Sequence, residues 1–339
     1  MNEVGFPILG AALVFSVVLP VCALLGKVGL MLLERDEAGG PLHGFNLRYL
    51  VLTGSCALPM AWLISAGLHQ AEKGAVALAC LFDHATDICL EPAAFAAVLS
   101  FGAAGCWIRT LAGRADAQVS DTLRAHALLG RLGALVASRP SLSFLAGRLR
   151  VTEAPGYALG AQGMLRPLVF VGAAYAEALG DDALVGALGH EGEHVRGFDP
   201  LRYLVLELAL SMNPLGRRLL APHAFRWIAA REAHCDREAV IGGSLPLALA
   251  EAIVRAAKPV SSQAVALGAS DMTVLRFRVG MLFAFSEQRP SRCCRRGVSA
   301  FPAAVLLLLA AFLLPHETGT GALDALHTST EHAFTYAWR

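Results

Sequence analysis

Two histidines and a glutamate form a cluster that could carry out metal chemistry. The chain reads His190-Glu191-Gly192-Glu193-His194, which is an HExxH motif. Side chains four residues apart lie on one face of a helix, so both imidazoles can reach one metal ion. Glu191, next to the first histidine, can hold the water that such an ion polarises. The spacing predicts two metal ligands and one general base; the alternative is two surface histidines on an ordinary helix.

A second helical stretch, 229–241, supplies the acidic residues that such a site needs. A zinc peptidase with a glutamate ligand takes this third ligand from another helix, and a carboxylate fixes the tautomer of a ligating imidazole by accepting its far N–H. Glu232 and Asp236, again four apart, fit these two roles. His234 and Cys235 are competing ligands, but His234 lies two positions from Glu232 and would point away from it on a helix.

Together these residues resemble the integral-membrane zinc peptidases of the beta-lactam sensor-transducer (antirepressor) family. The resemblance rests on the order and spacing of three segments, His190 to Asp199, Asn213-Pro214-Leu215 and Glu232 to Asp236, with Glu232 lying 38 residues after His194. Weaker matches are 163–171, which resembles the strand above a gluzincin cleft, and 278–282, which resembles a late arginine helix. The resemblance implies a gluzincin-type zinc domain placed between three membrane spans and a fourth.

The chain also departs from that family. Members that sense antibiotics carry a large outside penicillin-binding domain after the fourth span, whereas 24 residues follow Pro315 here, and neither Ser-x-x-Lys nor Lys-Thr-Gly occurs. Antibiotic sensing is therefore not expected. Gly192 stands where family members usually have a larger aliphatic residue, at a cost of about 1 kcal/mol in helix propensity.

The elements that must position the motif form a mixed pattern. Helical spacing covers 121–136, strands are predicted at 141–151 and 168–171, and helical periodicity dominates from residue 174 onward. A small sheet followed by a helical block is an α+β arrangement. The pattern thus predicts a mainly helical domain with a small sheet over residues 113–296, and the resemblance implies that this domain is a gluzincin-like zinc peptidase.

The composition of the whole chain indicates a membrane protein. Of 339 residues, 55% are hydrophobic and 16% are charged, whereas soluble domains have about 25% charged residues. A helix crosses the bilayer core in about 20 apolar residues. Stretches of that kind predict four transmembrane helices, three of them within residues 1–112, at about 4–26, 49–68, 92–112 and 297–315.

The distribution of charge predicts the orientation of these helices. The segment 113–296 holds 22 of the 28 basic residues against 16 acidic ones, so it should lie in the cytoplasm of what we expect to be a bacterial inner membrane. The N-terminus and the short tail 316–339 should then lie outside. Cys80 and Cys89 share a loop predicted to be outside, where a disulfide is one of two open alternatives. The net charge of +1 gives no signal for nucleic-acid binding.

The motif predicts metal-assisted peptide hydrolysis. Glu191 would take the proton of the attacking water and return it to the leaving amine. An extended substrate should pair with an edge strand formed by Leu168, Val169, Phe170 and Val171. The tetrahedral intermediate needs a further donor, for which Arg278 and His223 are candidates.

Three functions are compatible with these observations. The first is a membrane-embedded zinc endopeptidase that cleaves a cytoplasmic regulatory protein or itself during signal transduction; in the resembled family the target is a transcriptional repressor. A general membrane quality-control protease is a variant of it. The second is a catalytically weak receptor or scaffold that retains the zinc fold, which the intact Glu191 disfavours. A transporter or channel ranks last, because the predicted spans carry no buried acid or paired charge.

Overall fold

A computed structural model describes residues 11–35, 45–72, 92–112, 119–257 and 269–287. They divide into two units. The first comprises the described residues up to 114 together with 205–227, and the second comprises 115–204 and 228–297 where described.

The first unit contains three N-terminal helices. They are α1 (Leu19–Arg35, preceded by a π-helical turn at Val14–Val18), α2 (Phe45–Glu72) and α3 (Pro92–Ala112). By length and composition, Ala11–Arg35 and Asn46–Ser65 could cross a membrane, whereas the apolar part of α3, Ala96–Arg109, is shorter. The described residues thus contain two candidate membrane helices where the sequence predicted four. The fourth predicted span, the tail after it, Cys80 and Cys89 lie outside the described residues.

The second unit begins with a helix and a small sheet. Helix α4 (Leu123–Ala137) starts at Thr122, whose hydroxyl accepts the Ala125 N–H at 3.1 Å. A 3₁₀ helix, Pro140–Leu145, then precedes β1 (Leu149–Thr152). The strand prediction for 141–151 is therefore wrong over its first half, because Pro140 starts a helical turn that buries Leu142 and Leu145 at a spacing of three.

The sheet has three strands in the order β1-β3-β2. Strand β3 (Leu168–Gly172) pairs in parallel with β1, Leu149 opposite Val169, and antiparallel with β2 (Leu159–Gln162), Gln162 opposite Leu168. The prediction of a strand at 168–171 is confirmed. Its prediction as an edge strand is wrong, because β3 is the central strand and both of its sides are already hydrogen-bonded.

The described residues after β3 are mainly helical. After β3 come α5 (Ala173–Ala178), α6 (Asp181–Gly197), α7 (Asp199–Met212), α8 (Gly216–Ile241), α9 (Pro246–Ala257) and α10 (Ala269–Glu287). Helix α6 is buried nearly all round, and Leu184 and Leu188 join Leu132 of α4 and Val169 and Val171 of β3 in the core. This core fixes α6, the helix that carries the HExxH motif. The α+β expectation is confirmed at this level: the described residues are mainly helical and include a small three-stranded sheet.

Candidate metal centre

The two histidines of the motif face one another at the end of α6. His190 and His194 are each 6% exposed, and their Nε2 atoms lie 3.1 Å apart. Because the residues are one helical turn apart, both rings project from the same face, as the spacing predicts. The helix ends just beyond them at Phe198, which takes the left-handed conformation at φ 52°.

Helix α8 brings Glu232 to the same point. Its Oε2 lies 3.3 Å from His190 Nε2, and its Oε1 lies 3.4 Å from His194 Nε2. A tetrahedral zinc ion with bonds of about 2.0–2.1 Å holds its ligand atoms about 3.3–3.4 Å apart. The two histidine nitrogens and the two Glu232 oxygens that face them therefore lie at separations close to those in a tetrahedral zinc site, one oxygen opposite each ring.

Asp236 and Arg278 hold the His190 ring. Asp236 Oδ1 lies 2.7 Å from His190 Nδ1, so this carboxylate lies where the sequence analysis expected the N–H acceptor. Arg278 of α10 donates to Asp236 through Nε at 2.7 Å and Nη2 at 2.8 Å, and to Glu232 Oε2 through Nη1 at 2.9 Å. These short bonds commit Arg278 to the two carboxylates, a position that favours orienting the site over binding substrate.

Asp199 and Arg231 hold the His194 ring in the same way. Asp199 Oδ2 lies 2.6 Å from His194 Nδ1 and accepts from Arg231 Nε, also at 2.6 Å. Asp199 belongs to the segment that carries the resemblance, but neither Asp199 nor Arg231 was predicted to have a role in the site. The available signal was an aspartate directly after the motif helix, but its approach to His194 depends on the left-handed turn at Phe198.

These contacts favour one neutral tautomer for each ring, with the proton on Nδ1 and Nε2 directed towards the centre. In the neutral tautomer that donates Nδ1–H to its aspartate, each ring directs its Nε2 lone pair towards Glu232 and towards the other ring. Two lone pairs 3.1 Å apart cannot form a hydrogen bond with one another. A cation between them turns this repulsion into attraction, so the donor set fits a metal ion.

The electrostatics of the site also favour a cation. Burial would lower the pKa of His194, but the acidic groups around it, Cys235 and Glu232 foremost, raise that pKa well above its ordinary value. Burial would raise the pKa of Glu232, but His194 and His190 hold it well below its ordinary value. Surroundings that favour a proton on the imidazoles also favour a divalent ion between them.

Glu191 completes the group of side chains that could bind a metal ion. The ligand atoms of His190, Glu191 and His194 all lie within 4.8 Å of one another. All three line a pocket of about 160 Å³ with Glu232, Tyr203 of α7 and Ala161 of β2, among others. A water or carbonyl entering this pocket would meet the histidines and the Glu191 carboxylate together.

The other predicted residues lie elsewhere. Cys235 Sγ lies 3.7 Å from His194 Nδ1, on the Asp199 side of that ring, and joins these two residues in a second group with metal-binding atoms. His223 belongs to the first unit, where its Nδ1 lies 2.8 Å from Glu34. Residues Leu168, Val169, Phe170 and Val171 form the central strand, and β2 is the strand that reaches the pocket, through Ala161.

Gly192 has a packing role within the motif. A Cβ at this position would come within 2.9 Å of the Phe144 ring, which belongs to the 3₁₀ helix before β1. Phe144 also packs under the Arg196 guanidinium, 3.9 Å from the ring centroid. The ring takes the space that a larger residue at position 192 would occupy.

Comparisons with known proteins add no family to this description, because no family model, curated protein or solved structure matches the chain.

Proposed function

We propose that this chain is a membrane-attached zinc endopeptidase. The observation that carries the proposal is the convergence of His190 Nε2, His194 Nε2 and one Glu232 carboxylate at separations of 3.1–3.4 Å, with each imidazole tied to an aspartate through Nδ1. Two imidazoles and one carboxylate are a donor set typical of catalytic zinc, which keeps a fourth position for water or substrate.

Zinc would supply a water acidified towards neutral pH and a polarised carbonyl when bound at these three side chains. Glu191 is the residue that moves the proton. It lies beside both ligands in the pocket, and its carboxylate accepts a proton from the attacking water and delivers it to the nitrogen of the leaving amine. A site with a purely structural metal would need no such base.

The peptide to be cleaved is expected to run along β2. In the described part of the sheet, β2 has β3 on one side only, and its Ala161 lines the pocket beside the motif. An extended peptide can add to such an edge through backbone hydrogen bonds, which select for extended shape more than for sequence. We therefore propose that the substrate binds along β2, in place of the predicted strand at 168–171.

Membrane attachment is supported by the surface of the apolar helices. Only 28% of the most apolar window of Ala11–Arg35 and 39% of that of Asn46–Ser65 is buried, and Leu25 and Leu32 are 65% and 59% exposed. A core helix of a soluble protein would bury most of this surface. We propose the four-span arrangement of the sequence analysis, with a cytoplasmic peptidase domain whose substrate is a cytoplasmic regulatory protein, such as a repressor, or the chain itself.

The full-length protein in detergent, assayed for bound zinc and for cleavage of itself and of co-expressed cytoplasmic proteins, tests this function. Glu191→Gln should retain zinc and lose about 10²–10⁴-fold in cleavage rate, the contribution of a general base. Glu193→Gln is the matched control, because Glu193 lies on the same helix and pairs with Arg196. Zinc binding without cleavage by the wild type would favour the receptor function, and absence of zinc would refute the proposal.

A further inference from the structure

We infer that Tyr203 is the catalytic hydrogen-bond donor to the carbonyl oxygen during hydrolysis; this inference rests on the proposed function. Tyr203 lies on α7, one turn after Asp199, and lines the same pocket as His190, Glu191 and Glu232. Nothing in the HExxH or Glu-Ala-His-Cys-Asp patterns points to it, because it lies on neither of the two ligand helices.

The position of the phenol follows from the geometry of α7. Residues four apart share a helix face, so the first turn of α7 presents Asp199 to His194 and Tyr203 to the adjoining Glu232. The Tyr203 ring lies beside the His194 ring, with 6.3 Å between centroids. The hydroxyl is therefore placed next to two of the three metal-binding side chains and at the pocket wall.

The length of the hydroxyl contact separates Tyr203 from Arg278. The Tyr203 hydroxyl lies 3.4 Å from Glu232 Oε1, whereas a hydroxyl committed to a carboxylate lies about 2.5–2.7 Å away. Arg278 makes contacts of 2.7, 2.8 and 2.9 Å with Asp236 and Glu232. Redirecting Arg278 to a substrate would break buried ion pairs, whereas the contact between the Tyr203 hydroxyl and Glu232 is long enough to be exchanged for one with a substrate oxygen.

The chemical step needs such a donor at one moment. When the oxygen of water bonds to the carbonyl carbon, the C=O π electrons move to the carbonyl oxygen, which becomes an oxyanion. The Tyr203 O–H donates a hydrogen bond to that oxygen and keeps its proton. The C=O bond then re-forms, the C–N bond breaks with its electrons moving to nitrogen, and nitrogen takes the proton held by Glu191.

A Tyr203→Phe variant of the full-length protein tests this role, with fluorescein-labelled casein and self-cleavage as readouts and Glu191→Gln as the inactive reference. We expect kcat to fall about 10²–10³-fold, the usual loss for one oxyanion donor, with KM and zinc content unchanged. Tyr175→Phe is the matched control: its hydroxyl donates to the Ala252 carbonyl at 3.0 Å, so hydroxyl loss there should lower the melting temperature and leave kcat unchanged.

The remaining outcomes overturn the inference. An unchanged kcat in Tyr203→Phe would show that the phenol does not meet the oxyanion. A loss of zinc in parallel with activity would make Tyr203 a residue that only positions Glu232. If the wild type cleaves neither substrate, the proposed function fails together with this inference. If the wild type cleaves, Glu191→Gln abolishes cleavage and Tyr203→Phe does not, the proposed function stands and only this inference fails.

Discussion

The two imidazoles of the centre are held by two parallel arms, which we call the Asp236 arm (His190, Asp236, Arg278) and the Asp199 arm (His194, Asp199, Arg231). In each, a histidine Nδ1 lies within 2.7 Å of an aspartate that also accepts from an arginine. Each aspartate is fully buried. Both rings are thus held by the same kind of contact, a buried aspartate that is itself paired with an arginine.

The arms differ in what else their arginines contact. Arg278 also donates to Glu232, the proposed third ligand, whereas Arg231 donates to the Glu193 backbone carbonyl at 2.8 Å. Asp199 has a second arginine, Arg202, at 3.4 Å. Through Arg278, the Asp236 arm therefore also holds the Glu232 side chain. Through Arg231, the Asp199 arm connects the His194 ring to the backbone of α6. Substitutions in the two arms should therefore have different effects on zinc affinity and on the free energy of unfolding.

The largest effect is expected from removing the imidazoles that both arms hold. His190→Ala and His194→Ala should each lower zinc affinity by more than the roughly 100-fold that loss of an outer hydrogen-bond partner can cost, because a direct ligand disappears. Competition with a chelating dye measures the affinity. His126→Ala, an exposed histidine beside Asp121, is the control, and zinc retained at wild-type affinity in either variant would contradict the assignment.

The next largest effect is expected when the aspartate of each arm is replaced, and it should differ between the arms in the free energy of unfolding. Asp199→Asn should lower the free energy of unfolding by about 3–5 kcal/mol, because it removes the negative charge that pairs with the buried Arg231 and also lies 3.4 Å from the buried Arg202. Asp236→Asn should cost less, because Arg278 keeps its contact with Glu232. Denaturant unfolding in the presence of a chelator compares the two without a contribution from bound metal. Equal losses would mean that the arms do not divide their roles in this way.

The smallest effect is expected at Cys235, which contacts the His194 ring of the Asp199 arm. Its Sγ lies beside Nδ1 of His194, away from the nitrogen that faces Glu232. Cys235→Ala should change zinc affinity by less than the roughly 10-fold at which outer-partner losses begin. Cobalt substitution provides a second readout, since a thiolate ligand adds a strong charge-transfer band. Such a band, or loss of metal in the variant, would place the ion in the group of His194, Asp199 and Cys235.

The same contrast explains how far the sequence predicted the site. The placement of His190, His194, Glu232 and Asp236 depends on helical spacing of four residues and on two helices meeting, and the spacing is visible in the chain. Asp199 reaches His194 only because Phe198 takes a left-handed conformation, which is uncommon for a bulky residue and has no sequence signal.

Non-local pairing accounts for the other differences. A segment such as 168–171 can be apolar whether it is a central or an edge strand. Its composition therefore predicts a strand but not which strands pair with it. Tyr203 and Arg231 carry no spacing signal, because each acts across helices whose packing the sequence does not state. Local periodicity thus predicted most helices and strands and the candidate metal ligands. Tertiary packing determines which strand and which hydrogen-bond donors line the pocket.

The contact between Gly192 and the Phe144 ring implies a paired constraint between two distant positions. A related protein with leucine in the third place of its motif should have a side chain smaller than phenylalanine at the position equivalent to 144, and the guanidinium at 196 would then lose its aromatic partner. A larger residue at position 192 alone would overpack this space, and a smaller residue at position 144 alone would leave a cavity in it. The two substitutions made together should therefore be tolerated better than either alone.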